Sequence, residues 1–277
     1  MPRAIWSGSL SFGLVNVPVA LLSGTRDVQV HFHQLDSQDN TPIEVRRYCS
    51  AEDVEVPYEE IVKGYEIEDG KYVMLTDDEL AAAAPEKTRT IDIEEFVEVE
   101  DIDPIFYDHP YFLVPTGGEG GARAYVLLRE VMDREGRAAL GRFVLRNKEY
   151  LAAVRPRDGV LTLTTMVFAD EIRPTDPVAE LAGGEKAPKN EVDAAVELID
   201  AMSTDWDPKR YHDHYRERLL KVIEAKADGA TIEAPEEEDA PTEVPDLMAA
   251  LEATLAEAKA DGKRSKPKPR KKAKTAS

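Results

Sequence analysis

From Ser9 to Gly24 the chain reads "SLSFGLVNVPVALLSG", and apolar side chains take every second position. Leu10, Phe12 and Leu14 share one phase. Val15, Val17, Val19 and Leu21 share the other, after a one-residue slip beside Gly13. Period-two alternation marks a strand with one buried face, and the slip predicts a bulge at the glycine. The same alternation runs through "VQVHFHQL", "IEVRRYCS", "TIDIEEFVEVEDI" and "PYFLVP", each predicted as a strand. "GRFVLRNKEYLAAVRPRDGVLTLTTMVF" predicts further strands, with Asp158-Gly159 as a hairpin turn.

Helical signals interrupt the strands twice. In "TDDELAAAAPE", Thr76 answered by Glu79 is a capping box, and Pro85 stops the short helix it opens. "GGEGGARAYVLLREVMDREG" predicts a glycine loop leading into a helix of about three turns. Many short strands with few helices between them favour a mainly β fold built on a closed or nearly closed antiparallel barrel, over roughly residues 1–175.

Beyond that point the period lengthens. Val192, Ala195, Val196 and Ile199 recur at the spacing of one helical face. Asp207-Pro208 offers an N-cap and a first-turn proline for a second helix ending near Gly229, with Tyr211, Tyr215, Leu219 and Val222 as its apolar stripe. "EAPEEEDAPTEVP" is too acidic and proline-broken to order itself. A helix of about four turns follows, with Leu247, Leu251 and Leu255 on one face. On a disordered tether, such a helix reads as a docking element for a partner groove, the alternative being that it packs on its own barrel. The expected organisation is therefore a core over 1–189, a helical arm over 190–232, an acidic linker over 233–245, a docking helix over 246–261 and a basic disordered tail over 262–277.

Charge changes the picture at that tail. The formal net charge is −20, yet Gly262 to Ser277 holds eight Lys and Arg and no acid, which leaves residues 1–261 at −28. Net acidity ordinarily argues against nucleic acid, but screening limits each charge to about 8–10 Å, so a phosphate backbone responds to the local patch. Lys263, Arg264, Lys266, Lys268, Arg270, Lys271, Lys272 and Lys274 can neutralise phosphates in a salt-sensitive, sequence-blind way. In the body, Arg46, Arg47, Arg123, Arg129, Arg142, Lys148 and Arg155 are candidate DNA contacts, because segments such as "RRYC", "RNKEYL" and "VRPRDG" read as strand or strand-flanking and can line a groove.

Other chemistries find little support. The single Cys49 forbids an intrachain disulfide and a cysteine-rich zinc site. His31 and His33 would share a strand face and could ligate one ion, whereas His212 and His214 on a helix would point about 200° apart. No third ligand cluster accompanies either pair, and no metal or other cofactor is expected. "GGEGGAR" lacks the Gly-Lys-Ser/Thr ending of a nucleotide cradle. Catalysis has no convergent residue set, so a binding protein is expected and not an enzyme. No run of about 18 apolar residues spans a bilayer, and the opening "MPRAIWSGSLSFG" lacks a secretory h-region. A soluble intracellular protein is expected.

Several segments together resemble bacterial Ku: "RAIWSGSLSFGLVNVPVAL", "VPYEEIVKGYEIEDGKYVMLTDDEL", "IDIEEFVEVEDIDPIFYDHPYFLVP", "LRNKEYLAAVRPRDGVLTL" and "YHDHYRERLLKVIEAK", collinear from Arg3 to about Lys226. The resemblance implies a Ku-type barrel, a strand-built bridge over the duplex and a helical arm that helps pair two protomers. It implies a homodimeric ring on the ends of linear double-stranded DNA that recruits and stimulates DNA ligase D in non-homologous end joining. It also implies that the segment with Leu247, Leu251 and Leu255 binds the ligase, and that the lysine-rich tail touches DNA. Some relatives carry a second cysteine just after the position of Cys49, and "CSAEDVEV" does not. The alternative is an acidic adaptor that bridges partners through its C-terminal helix and touches DNA only through the tail.

Overall fold

Alternating stretches of the first 166 residues close on one another as a seven-stranded barrel. Its strands are β1 (Trp6–Phe12), β2 (Val15–Ser23), β5 (Thr90–Glu98), β6 (Tyr107–Pro115), β7 (Arg137–Leu145), β8 (Lys148–Arg157) and β9 (Val160–Met166). In the computed structural model, which describes residues 3–83, 89–183, 186–230 and 247–260, the order around the barrel is β1-β2-β6-β9-β8-β7-β5. Every neighbouring pair is antiparallel except β1 and β5, which run parallel and close the ring. A two-stranded hairpin outside the barrel, β3 (Lys63–Glu68) and β4 (Lys71–Leu75), had no separate prediction.

The slip at Gly13 is a reversal of the chain and not a bulge. Phe12 pairs with Val15, so Gly13 and Leu14 are the whole turn. Gly13 has φ +58° at the first central position, a conformation that glycine adopts without strain. Leu14, expected on the buried face, is wholly exposed at the tip. "VQVHFHQL" and "IEVRRYCS" form no ladder strands; each joins only an isolated bridge, Leu35 to Pro42 and Tyr48 to Glu55. Almost every residue of both segments is exposed, so their alternation has no core to face. The capping box is present as expected: Thr76 N–H donates to the Glu79 carboxylate at 2.8 Å and Glu79 N–H to Thr76 Oγ1 at 3.2 Å, opening α1 (Asp77–Ala83). The Thr76 N–H, with the Thr76 hydroxyl that also donates to the carboxylate, holds the Glu79 carboxyl below its ordinary value.

The glycine run is not a loop before a three-turn helix. The helix α2 (Gly118–Glu135) begins inside it and runs 18 residues. Its buried face, Tyr125, Leu128 and Met132, joins Leu10, Val19, Leu21, Leu113, Phe143 and Leu161 in the core. α2 contacts β2, β6, β7 and β8 and so covers the barrel interior. The buried Tyr125 hydroxyl donates to the Leu113 carbonyl and accepts from the Leu161 N–H, both at 2.7 Å. Leu113 and Leu161 are register partners on β6 and β9, so one side chain ties the helix to two strands.

Compact structure divides between Pro174 and Thr175. The second unit contains α3 (Asp176–Leu181), α4 (Lys189–Met202), α5 (His214–Ala227) and α6 (Leu247–Ala260). Asp207-Pro208 does not start the second long helix. Asp207 caps a single 3-10 turn, Pro208–Arg210, through Lys209 N–H, and α5 begins at His214 with Asp213 accepting from Arg216 N–H. Tyr211 therefore precedes the helix whose stripe it was expected to begin, and it stacks on Trp206 with ring centroids 5.1 Å apart. α6 packs against α4. The half-buried residues of α4 are Glu191, Ala194, Ala195, Leu198 and Ala201, while Val192, Val196 and Ile199 stay exposed. The expected linker, 233–245, and tail, 262–277, lie outside the described residues.

Candidate nucleic-acid interface

Seven body cations were candidates for phosphate contact, and their surroundings separate them. Arg46 and Arg47 follow one another in an irregular loop, not on a strand. Val56 N–H donates to the Arg47 carbonyl and Cys49 N–H to the Val54 carbonyl, both at 2.9 Å, so residues 47–56 fold into a small closed loop. Arg46 pairs with two acids, Glu44 and Glu55, each at 3.1 Å. The Glu44 hydrogen bond, followed by the Glu55 charge, raises the Arg46 pKa above its ordinary value. Arg47 instead lies over the Tyr58 ring, 5.4 Å from its centroid.

The same division recurs at the start of β8. Arg146 and Asn147, both with positive φ, make the two-residue turn from β7 into β8. Lys148 lies over the ring of Tyr150, two residues along the same strand, at 5.1 Å. Glu149 between them faces away and stands 3.9 Å from Arg142, which also pairs with Glu94 at 3.2 Å. Arg142 is thereby held between two carboxylates.

The remaining candidates have different settings. Arg129 of α2 donates to the Gly159 carbonyl at 2.7 Å, latching the helix to the β8–β9 turn, and stands 3.5 Å from Glu130. Arg155 is half-buried over the Tyr107 ring at 5.4 Å. Its Nε and the Tyr107 hydroxyl are both buried without a hydrogen-bond partner among the described residues. Arg123 is exposed on α2 and enters no ion pair among the described residues. The tail residues Lys263, Arg264, Lys266, Lys268, Arg270, Lys271, Lys272 and Lys274 lie outside the described residues. So does the side chain of Leu247, while Leu251 and Leu255 are half-buried on the helix that packs against α4.

The rings beneath Arg47 and Lys148 were missed in the sequence. Tyr150 was within reach of strand alternation from Lys148. Tyr58 was not, because the loop that brings it to Arg47 has no periodic signature. The histidine pairs hold nothing together: His31 stands 3.1 Å from Asp27, and among the described residues no cluster of three His, Cys, Asp or Glu side chains could hold a metal. Backbone N–H groups of Ala51 and Glu52 lower the Cys49 thiol pKa. No described helix is long and apolar enough to cross a membrane.

Apolar surface is the other conspicuous feature. Every residue of the β3–β4 hairpin except Leu75 is exposed, including Tyr65, Ile67, Tyr72 and Met74 on its two faces. An isolated two-stranded hairpin is marginal in water. Beside α2 an apolar groove of about 490 Å³ is lined by Phe12, Val15, Phe96, Leu127 and Val131.

Residues 11–195 match the family model described as the Ku70/Ku80 beta-barrel domain. The Non-homologous end joining protein Ku of Anaeromyxobacter sp. (strain K) is 46% identical over 263 residues, covering 95% of this chain and 88% of its own. The chain belongs to the Ku family. The Ku match begins within β1 and ends within α4, so it takes in the other six barrel strands whole and the β3–β4 hairpin. Non-homologous end joining protein Ku 1 of Geotalea uraniireducens (strain Rf4) is 41% identical over 260 residues, 93% of this chain and 98% of that Ku. The Ku of Symbiobacterium thermophilum is longer: at 43% identity the match covers 93% of this chain and 64% of that protein.

Proposed function

We propose that this chain is a non-enzymatic, sequence-independent binder of linear double-stranded DNA ends that acts in non-homologous end joining as a homodimeric ring and recruits a DNA ligase of the ligase D type. The observation that carries the reading is the collinear identity to proteins named for end joining, 46% across 95% of the chain. Physical features support it. A ring that ignores sequence needs cations for phosphates and no recognition helix for the major groove. Arg47, Lys148 and Arg123 are exposed cations without carboxylate partners among the described residues, beside others that acids neutralise. The exposed apolar faces of the β3–β4 hairpin suit burial against a second copy, and two-fold symmetry lets one patch pair with itself.

The ligase would dock on α6. Because α6 packs on α4, the surface offered is that of the helix pair, with Leu251 and Leu255 partly covered. The cationic segment 263–274 would act as a tether beside the ring.

Topology supplies the test. A preformed ring loads only where the duplex stops. In a gel-shift comparison, the purified protein is expected to bind a linear duplex and to leave the same sequence untouched when supplied as a covalently closed circle. Equal binding to both forms would favour an adaptor that meets DNA only through its tail.

A further inference from the structure

Four cations of the body fall into two classes by what supports them. At residues 148–149, on β8, adjacent side chains point to opposite sides. In one class a cation is matched by acids: Arg46 by Glu44 and Glu55, Arg142 by Glu94 and Glu149. In the other a cation lies on a tyrosine ring: Arg47 on Tyr58, Lys148 on Tyr150. Among the described residues, no carboxylate pairs with Arg47 or Lys148.

The two kinds of support differ in what they leave for a ligand. A carboxylate at 3.1 Å both positions a guanidinium and cancels its charge. An aromatic face attracts the cation through its quadrupole and restricts its rotamers, yet brings no net charge. The cation stays free to meet an anion, and less side-chain entropy is lost when it does. Tyr150 is held by packing against Phe143 with centroids 5.9 Å apart, and the backbone of Tyr58 is set by a 3-10 turn behind Pro57.

We propose that Arg47 and Lys148 are the principal phosphate contacts of the body, with Tyr58 and Tyr150 as their positioning residues, and that Arg46 and Arg142 are structural. This deepens the DNA-binding reading and rests on it. An aromatic support suits a sequence-blind grip, because it aims a charge at the backbone and presents no donor or acceptor to the bases.

The test is fluorescence anisotropy of a labelled linear duplex with the full-length protein at several salt concentrations. Arg47→Gln and Lys148→Gln are each expected to weaken binding about 3- to 10-fold and to lower the salt slope by about 0.9 for each phosphate no longer neutralised. Tyr58→Leu is expected to weaken binding about 2- to 5-fold, as removal of an exposed cation–π interaction implies, while Tyr58→Phe, which keeps the ring face, restores it. Tyr58 is 73% exposed, so neither change disturbs the core. Arg46→Gln and Arg142→Gln should leave the slope unaltered. The grip is overturned if those two variants lower the slope as much as Arg47→Gln does, or if Tyr58→Leu binds like the unaltered protein. Failure of the unaltered protein to bind linear duplex at all would instead remove the end-binding reading, and the grip with it.

Discussion

Tyr125 shows how much of the barrel can depend on one hydroxyl. It lies 4% exposed, donates to Leu113 and accepts from Leu161, and thereby satisfies two buried backbone groups on different strands. Tyr125→Phe would keep the ring and its packing while orphaning both groups. A buried backbone group left without its partner costs about 1–3 kcal/mol, and a loss of that order is expected in urea unfolding followed by circular dichroism. Burial pushes the Tyr125 hydroxyl above its ordinary value of 10.0. The folded state therefore favours the neutral phenol. Its contribution to stability is complete below the unfolded pKa and is lost as pH rises through the folded one. The native protein should lose stability steeply above about pH 10, and the Phe variant should lose less over the same range. Parallel alkaline slopes for the two proteins would show that another group dominates.

Elements were legible where a residue pattern faced a core, and illegible where it did not. β5, β6 and the β7–β9 meander form where their apolar positions predict them because the barrel buries those positions, as at Leu113, Phe143 and Leu161, and along β9 it buries both phases. The Asp158-Gly159 turn could be read because both residues take positive φ, as such a hairpin requires. "VQVHFHQL" alternates equally well, but among the described residues no neighbouring strand pairs with it beyond one isolated bridge, and alternation alone cannot reveal that. The hairpin at Gly13 was misjudged as a bulge because a phase slip accompanies either event. For the candidate site, residue type was readable and pairing was not: Arg46 and Arg47 look alike in sequence, and only the loop closure at Val56 divides them. Gly141 tests the element scale. It lies opposite the irregularity between Ile93 and Glu95 on β5, and a Cβ there would overlap the Asp92 carbonyl oxygen, which is rigid backbone. Gly141→Ala should part β5 from β7 and lower the unfolding midpoint by several degrees, consistent with overpacking of about 1–3 kcal/mol. An unchanged midpoint would mean that β5 shifts freely at its bulge.

At the scale of the whole molecule, charge is segregated and not merely negative. Residues 1–261 carry −28 against +8 in the last sixteen. The acidic excess discourages a phosphate backbone from most of the surface, which confines DNA to those places where cations lack acidic partners. Among the described residues of the body, Arg47 and Lys148 are two such places, each a cation on a ring. The terminal cations can then act in a way that the body cannot. They raise the local concentration of positive charge beside a bound duplex and contribute only screened, sequence-blind attraction. Removing Lys263 to Ser277 should therefore reduce affinity for linear duplex most at low salt and flatten the plot of log affinity against log salt. Discrimination between cut and covalently closed DNA should survive, because entry at an end is a property of the proposed ring. The two readouts separate the tether from the ring: an unchanged salt slope rules out the tether, while loss of discrimination means that the tail, and not enclosure of the duplex, selects the end.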